Sequence, residues 1–159
     1  MTPKSPERTA LFPGSFNPFT RGHQSIVDRA TALFDRVVIA VGYNIAKPGG
    51  REQAAERAEA IKKLYRGNTK VNVVAYSVLT VRCAERVGAG VIIRGVRNAT
   101  DFDYERGIAE VNRRLSGIET LLIPSLPEYD CVSSSMVREL KSFGEDVSDY
   151  LPEPFDISD

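Results

Sequence analysis

Apolar residues in this chain come in short continuous runs rich in β-branched side chains. They are TALF (9–12), RVVIAV (36–41), KVNVVAY (70–76), GVIIRG (90–95) and ETLLIP (119–124). Continuous rather than alternating apolarity suits strands covered on both faces of a parallel sheet. The segments between them repeat apolar residues at helical spacing. Ile26, Val27, Ala30, Leu33 and Phe34 share one face, as do Ala58, Ile61, Leu64 and Tyr65, and Val81, Ala84 and Val87. Ile108, Ala109, Val111 and Leu115 mark a fourth helix, and Met136, Val137 and Leu140 a fifth. The order βαβαβαβαβα predicts an α/β fold, a doubly wound five-stranded parallel sheet with helices on both faces. In such a sheet ligands bind beyond the carboxyl ends of the strands. Functional residues are therefore expected after Phe12, Val41, Tyr76, Ile93 and Ile123.

No repeat, low-complexity segment or linker divides the 159 residues. Residues 1–8 read as a polar lead-in, 9–152 as a single domain and 153–159 as an acidic tail. Lys+Arg and Asp+Glu both number 21, so bulk charge gives no reason to expect a nucleic-acid partner. No apolar run approaches the roughly 18 residues of a membrane span, and the first residues lack a signal-peptide pattern. Cys83 and Cys131 have no paired spacing, which points to reduced thiols in a cytoplasm rather than a disulfide or metal site.

The predicted ligand edge carries the chemistry. PGSFNPFTRGH holds His23, the single histidine, where a Pro/Gly-rich turn meets a helix start. Thr20 can cap that helix, leaving free N–H groups and a positive helix end toward the loop. Neither GxGxxG nor GxxxxGK[ST] is present, which argues against a dinucleotide dehydrogenase or a P-loop enzyme. Lys47 lies in a Gly/Pro-rich loop and suits either a phosphate or solvent. Arg94 and Arg97 follow the fourth strand. They could grip a polyphosphate bidentately or answer Asp101, Asp103 or Glu105. Ser133, Ser134 and Ser135 precede the last helix, where one hydroxyl suffices for an N-cap and three suit a phosphate cradle. No Ser-His-Asp arrangement and no His/Cys/Asp cage is legible. The pattern favours positioning and charge stabilisation over covalent chemistry.

PGSFNPFTRGH resembles the T/HxGH motif of the nucleotidyltransferase superfamily. IIRGVRNATDFDYE and PEYDCVSSSMVRE resemble segments of bacterial phosphopantetheine adenylyltransferases, and the likeness runs from about Thr9 to Pro152. The resemblance implies a Rossmann-like fold and transfer of the adenylyl group of ATP to 4′-phosphopantetheine, giving dephospho-coenzyme A and pyrophosphate. It further implies in-line attack without an enzyme-bound intermediate, with Mg2+ carried on the ATP phosphates. His23 would stabilise the transition state, with Lys47 and Arg94 also catalytic. Ser15, Phe16, His23, Gly95, Val96, Arg97, Glu105 and the run Tyr129, Asp130, Cys131, Val132, Ser133, Ser134 and Ser135 would hold ATP. Ser15, Lys47, Thr80 and Arg94 would hold phosphopantetheine. Members usually assemble as hexamers.

The chain departs from the family pattern in three places. Ser15 and Asn17 stand where many members have threonine and aspartate. KPGGREQAAERAEA keeps only Glu56-Arg57 of the pattern that follows the family's lysine. The tail after Pro152 is short and acidic. The other readings are a different nucleotidyltransferase, using CTP or nicotinamide mononucleotide, and a non-catalytic nucleotide-binding module.

Overall fold

The computed structural model describes residues 5–153. The first half of the lead-in (1–4) and all but the first residue of the acidic tail (154–159) lie outside the described residues. Five strands form where the apolar runs predict them: β1 (Thr9–Gly14), β2 (Arg36–Gly42), β3 (Val71–Tyr76), β4 (Val91–Val96) and β5 (Glu119–Pro124). Helices α1 (Arg21–Ala30), α2 (Gly50–Leu64), α3 (Thr80–Val87), α4 (Ala99–Ser116) and α5 (Ser134–Ser142) alternate with them. All pairings are parallel and the sheet order is β3-β2-β1-β4-β5. The chain reverses its winding between β1 and β4, so the crevice at their carboxyl ends is the expected ligand site.

Each central strand buries both faces. Ala10, Phe12, Val37, Ile39 and Val41 pack with α1 and α2 residues such as Val27, Ala58 and Ile61. Leu11, Val38, Ala40 and Ile92 point the other way, against Val81 and Ala84 of α3. The strand period of two sorts one continuous apolar run into two cores.

The helical faces follow the predicted spacing, with two exceptions. Leu33 lies beyond the end of α1 and is exposed. On α4 the expected apolar face turns outward: Ile108, Val111 and Leu115 are exposed, while Glu105 and Asn112 are buried. The reason is polar pairing toward the sheet. Glu105 meets Arg94 of β4, and the Asn112 amide donates to Thr120 Oγ1 of β5 at 3.1 Å. A carboxylate and an amide satisfied in this way hold α4 in a rotation that leaves its apolar stripe outside.

Register explains the crevice. β1 stays in register with β2 out to Gly14↔Val41, and β4 with β5 out to Val96↔Pro124. β1 and β4 pair only at Ala10↔Val91 and Leu11↔Ile92. Beyond Leu11 the two middle strands part, and their carboxyl ends become two walls of a cleft.

Ile39 is fully buried in the first of these cores. Ile39→Ala is expected to cost about 2–5 kcal/mol of stability, read as a fall in the denaturant midpoint without a change in slope.

Candidate active site

The cleft widens into a cavity of about 260 Å3. Pro13, Gly14, Ser15 and Phe16 line it from the β1 side, and Arg94, Gly95, Val96 and Arg97 from β4. Gly22 and His23 come from α1, Asp101 and Glu105 from α4, and Tyr129, Val132, Ser133 and Ser134 from the segment entering α5. Gly14, Ser15 and Arg94 also line a second cavity of about 370 Å3 with Tyr43, Asn44, Tyr76, Thr80, Ile108 and Asn112. The two spaces therefore meet across Ser15 and Arg94.

His23 is held by a reciprocal cap. Its backbone N–H donates to Thr20 Oγ1 at 3.3 Å, and its Nδ1 accepts from the Thr20 N–H at 2.9 Å. An Nδ1 that accepts carries no proton, so the proton sits on Nε2, which is left as a donor. Phe12, Phe16 and Phe19 surround the imidazole with ring centroids 5.0–6.2 Å away. This burial, reinforced by the charges of Arg94 and Arg97, lowers its pKa from 6.5 to about 3. The imidazole is thus neutral at physiological pH and offers a hydrogen bond rather than a proton.

Arg94 spans the cleft. Its Nε and Nη2 donate to the Glu105 carboxylate at 3.0 and 2.7 Å, and its Nη1 donates to the Pro13 carbonyl at 2.6 Å. That uses three of its five N–H groups and leaves two for a ligand. Arg97 donates through Nε to Asp101 at 2.9 Å. Burial alone would raise the Asp101 carboxyl. The hydrogen bonds and charge of Arg97 outweigh it and hold the group below the usual range. Each arginine thus has an acidic partner, as one sequence reading expected, and each also lines the cavity.

The turn after β1 is tightly specified. Phe16 has φ +48°, a left-handed conformation that costs a non-glycine residue about 1–3 kcal/mol. It folds its ring back over Gly14, where an added Cβ would lie 3.0 Å from the ring atoms. A side chain at Gly14 would require that ring to shift.

Of the residues proposed from sequence, Ser15, Phe16, His23, Arg94, Gly95, Val96, Arg97, Glu105, Tyr129, Val132, Ser133 and Ser134 line the first cavity. Thr80 lines the second, its hydroxyl 2.9 Å from Tyr76 Oη. Lys47 is exposed and Asp130, Cys131 and Ser135 do not line the first cavity. All three serines already have structural partners, Ser135 Oγ accepting from the Arg138 guanidinium at 3.3 Å. Ser133 caps α5 by accepting from the Met136 N–H, and Ser134 Oγ donates to the Pro18 carbonyl at 2.7 Å. Sequence reasoning missed Tyr43, Asn44, Tyr76 and Asn112 as cavity walls. It also missed Arg57 and Arg138, which hold the β1 turn. The strand ends at Gly42 and Tyr76 pointed to the first three; nothing in the local pattern singled out Asn112.

A family model described as cytidylyltransferase-like matches residues 11–140. A phosphopantetheine adenylyltransferase of Bacteroides thetaiotaomicron is 44% identical over 95% of this chain and 99% of its own length. One from Porphyromonas gingivalis is 49% identical over 92% of this chain and 95% of its own. The chain belongs to the phosphopantetheine adenylyltransferase family. A solved bifunctional NMN adenylyltransferase/ADP ribose pyrophosphatase from Francisella tularensis shares the fold, with TM-score 0.65 and 13% identity. The match covers 91% of this chain and 45% of that one. The resemblance read from three sequence motifs thus extends to a match over more than nine-tenths of the chain, and those motifs contribute the segments that wall the cavity.

The lowered pKa of His23 has a consequence for stability. A folded pKa of about 3 against 6.5 unfolded means the unfolded chain binds the extra proton between those values. The contribution is fully present above pH 6.5 and is lost as pH falls toward 3. Wild type should therefore lose stability relative to His23→Gln as pH drops from 6.5 to 4, measured by urea unfolding. Parallel pH profiles would contradict the neutral imidazole.

Proposed function

We propose that this chain transfers the adenylyl group of ATP to 4′-phosphopantetheine. The observation that carries the reading is the meeting of the two cavities at Ser15 and Arg94, with His23 beside the junction. A transfer between two phosphates needs two ligand spaces that share one reacting centre. The first cavity suits ATP, with Arg97, the Gly95–Val96 backbone and the start of α5 around it. The second, reached past Thr80 and Tyr76, suits the pantetheine arm.

In this arrangement a phosphate oxygen of phosphopantetheine attacks the α-phosphorus. The bond from that phosphorus to the bridging oxygen breaks, and pyrophosphate leaves. The chain supplies no nucleophile. The His23 Nε2–H donates to the α-phosphate oxygen as negative charge gathers there. Because the imidazole is neutral, it keeps its proton throughout. Arg94 offers its two remaining N–H groups to the phosphates at the junction, while Glu105 and the Pro13 carbonyl fix its plane. These preorganised donors stabilise the transition state without rearranging. Lys47 lies in the loop that follows Tyr43 and Asn44 of the second cavity. In this reading it reaches the phosphopantetheine phosphate when that loop closes.

Mg2+ would enter on the ATP phosphates and neutralise part of their charge. The cavity carboxylates Asp101 and Glu105 are each engaged by an arginine, and a donor set so occupied suits a cation held by phosphate oxygens. No helix among the described residues is long and apolar enough to cross a membrane, and a cytoplasmic location fits the reading.

A hexameric assembly fits as well. Tyr104, Ile108, Val111 and Leu115 share one face of α4 at helical spacing and are exposed, as is Leu121 of β5. An apolar stripe of this kind suits burial against another copy.

Pyrophosphate release is expected with ATP and 4′-phosphopantetheine, and His23→Ala should lower kcat about 10²–10³-fold. Turnover with CTP and a phosphorylated alcohol but not with this pair would contradict the reading. ATP binding without pyrophosphate release would favour a regulatory module. In sedimentation equilibrium the chain should exceed its 17.5 kDa monomer mass, and Val111→Glu with Leu115→Glu should shift it toward monomer. A monomeric wild type would rule out assembly through this face.

A further inference from the structure

The end of β1 and the turn that follows it are held by side chains on three different elements. Arg94 of β4 donates to the Pro13 carbonyl, and Arg57 of α2 to the Ser15 carbonyl at 2.9 Å. Arg138 and Ser134 of α5 donate to the Asn17 and Pro18 carbonyls. Arg94 and Ser134 line the cavity, whereas Arg57 lines neither cavity. Among the described residues the Arg57 guanidinium hydrogen-bonds only this neutral carbonyl. Burial of this half-buried guanidinium outweighs the favourable charge of neighbouring Glu56, so it recovers only part of its desolvation cost. Fold stability alone gives a weak reason for such a contact.

The peptide plane supplies a stronger one. In a trans peptide the carbonyl of one residue and the N–H of the next point in opposite directions. Arg57, which lines neither cavity, holds the Ser15 carbonyl, so the Phe16 N–H of the same peptide is set on the side opposite that guanidinium. Ser15, Phe16 and His23 line the first cavity together. The left-handed φ of Phe16 makes this peptide sensitive. A left-handed non-glycine residue persists only where its surroundings over-determine it. The ring packed over Gly14 constrains one side of Phe16, and the Ser15 carbonyl constrains the other.

We propose that Arg57 is a positioning residue for adenylyl transfer: by holding the Ser15 carbonyl it aims the Phe16 N–H at the reacting phosphates. The inference rests on the adenylyltransferase reading and extends it to a residue outside the cavity. Arg57 also ties the β1 turn to α2, the helix that follows the Lys47 loop, so the two substrate-facing loops share one anchor.

The experiment compares wild type, Arg57→Ala and Arg57→Lys. Pyrophosphate-release kinetics are run with ATP and 4′-phosphopantetheine, and the Phe16 amide resonance is followed during ATP titration. Arg57→Ala should lose about ten- to a hundredfold in kcat, less than outright removal of a donor, with each KM within about threefold. The ATP-induced shift of the Phe16 amide should shrink or vanish. Arg57→Lys, whose ammonium can donate to the same carbonyl, should recover part of both signals. A kcat within twofold of wild type in folded Arg57→Ala would overturn the proposal. So would a tenfold rise in the phosphopantetheine KM at constant kcat, which would put Arg57 on the substrate. If wild type releases no pyrophosphate, the adenylyltransferase reading fails. The Phe16 amide then still decides the positioning claim: an ATP shift lost in Arg57→Ala upholds it, and an equal shift in both proteins overturns it.

Discussion

The whole site depends on the gap between β1 and β4 and on the guanidinium that crosses it. The two middle strands of the sheet pair for only two register positions and then separate. A gap at the centre of a sheet leaves polar backbone groups without ladder partners, and those groups need others. Arg94 supplies one by donating to the Pro13 carbonyl, and the same guanidinium is fixed by the buried Glu105 carboxylate. The contact that closes the backbone account thus places a cation, with two N–H groups unspent, at the junction of two cavities. Glu105 also sets the rotation of α4. That rotation turns the helix's apolar stripe away from the sheet.

Around this bridge the site separates charge from hydrogen bonding. Arg94 and Arg97 bring positive charge and are held in plane by carboxylates. His23 brings none, because aromatic rings and the arginines themselves keep its imidazole neutral. A neutral donor fixed by its own helix cap is rigid, and it cannot be lost to an adventitious proton transfer. The turn carrying Ser15 and Phe16 is specified with the same economy. Gly14 makes room for a ring, and side chains from β4, α2 and α5 hold its carbonyls.

Most of the fold was legible because its signals are local. Five continuous apolar runs gave five strands within two residues of their ends, and the strand ends located the ligand edge. His23, Arg94 and Arg97 were legible for the same reason, since each falls at a strand end or helix start. What was not legible is what arrives from far along the chain. The apolar spacing of Ile108, Val111 and Leu115 is that of an ordinary buried helix face. The long-range pairs Glu105–Arg94 and Asn112–Thr120 override it. Arg57 reaches Ser15 across 42 residues and Arg138 reaches Asn17 across 121, contacts that no window of sequence contains. The serine run shows the limit of composition. It suggested a phosphate cradle, yet Ser133 and Ser134 already carry structural bonds, so any cradle there must use backbone N–H groups or the spare acceptor and donor capacity of those hydroxyls.

The central claim is that a neutral imidazole, with its proton on Nε2, meets the phosphates of ATP. Because His23 is the only histidine in the chain, its two ring nitrogens give the only imidazole signals in a 15N spectrum and need no assignment by mutation. That spectrum, recorded from pH 5 to 8 and then with ATP, is the most direct test. A protonated Nε2 and bare Nδ1 that do not titrate in this range, with Nε2 responding to ATP, is the predicted result. A titration centred near the ordinary histidine value of 6.5, or an Nε2 signal indifferent to ATP, would contradict it.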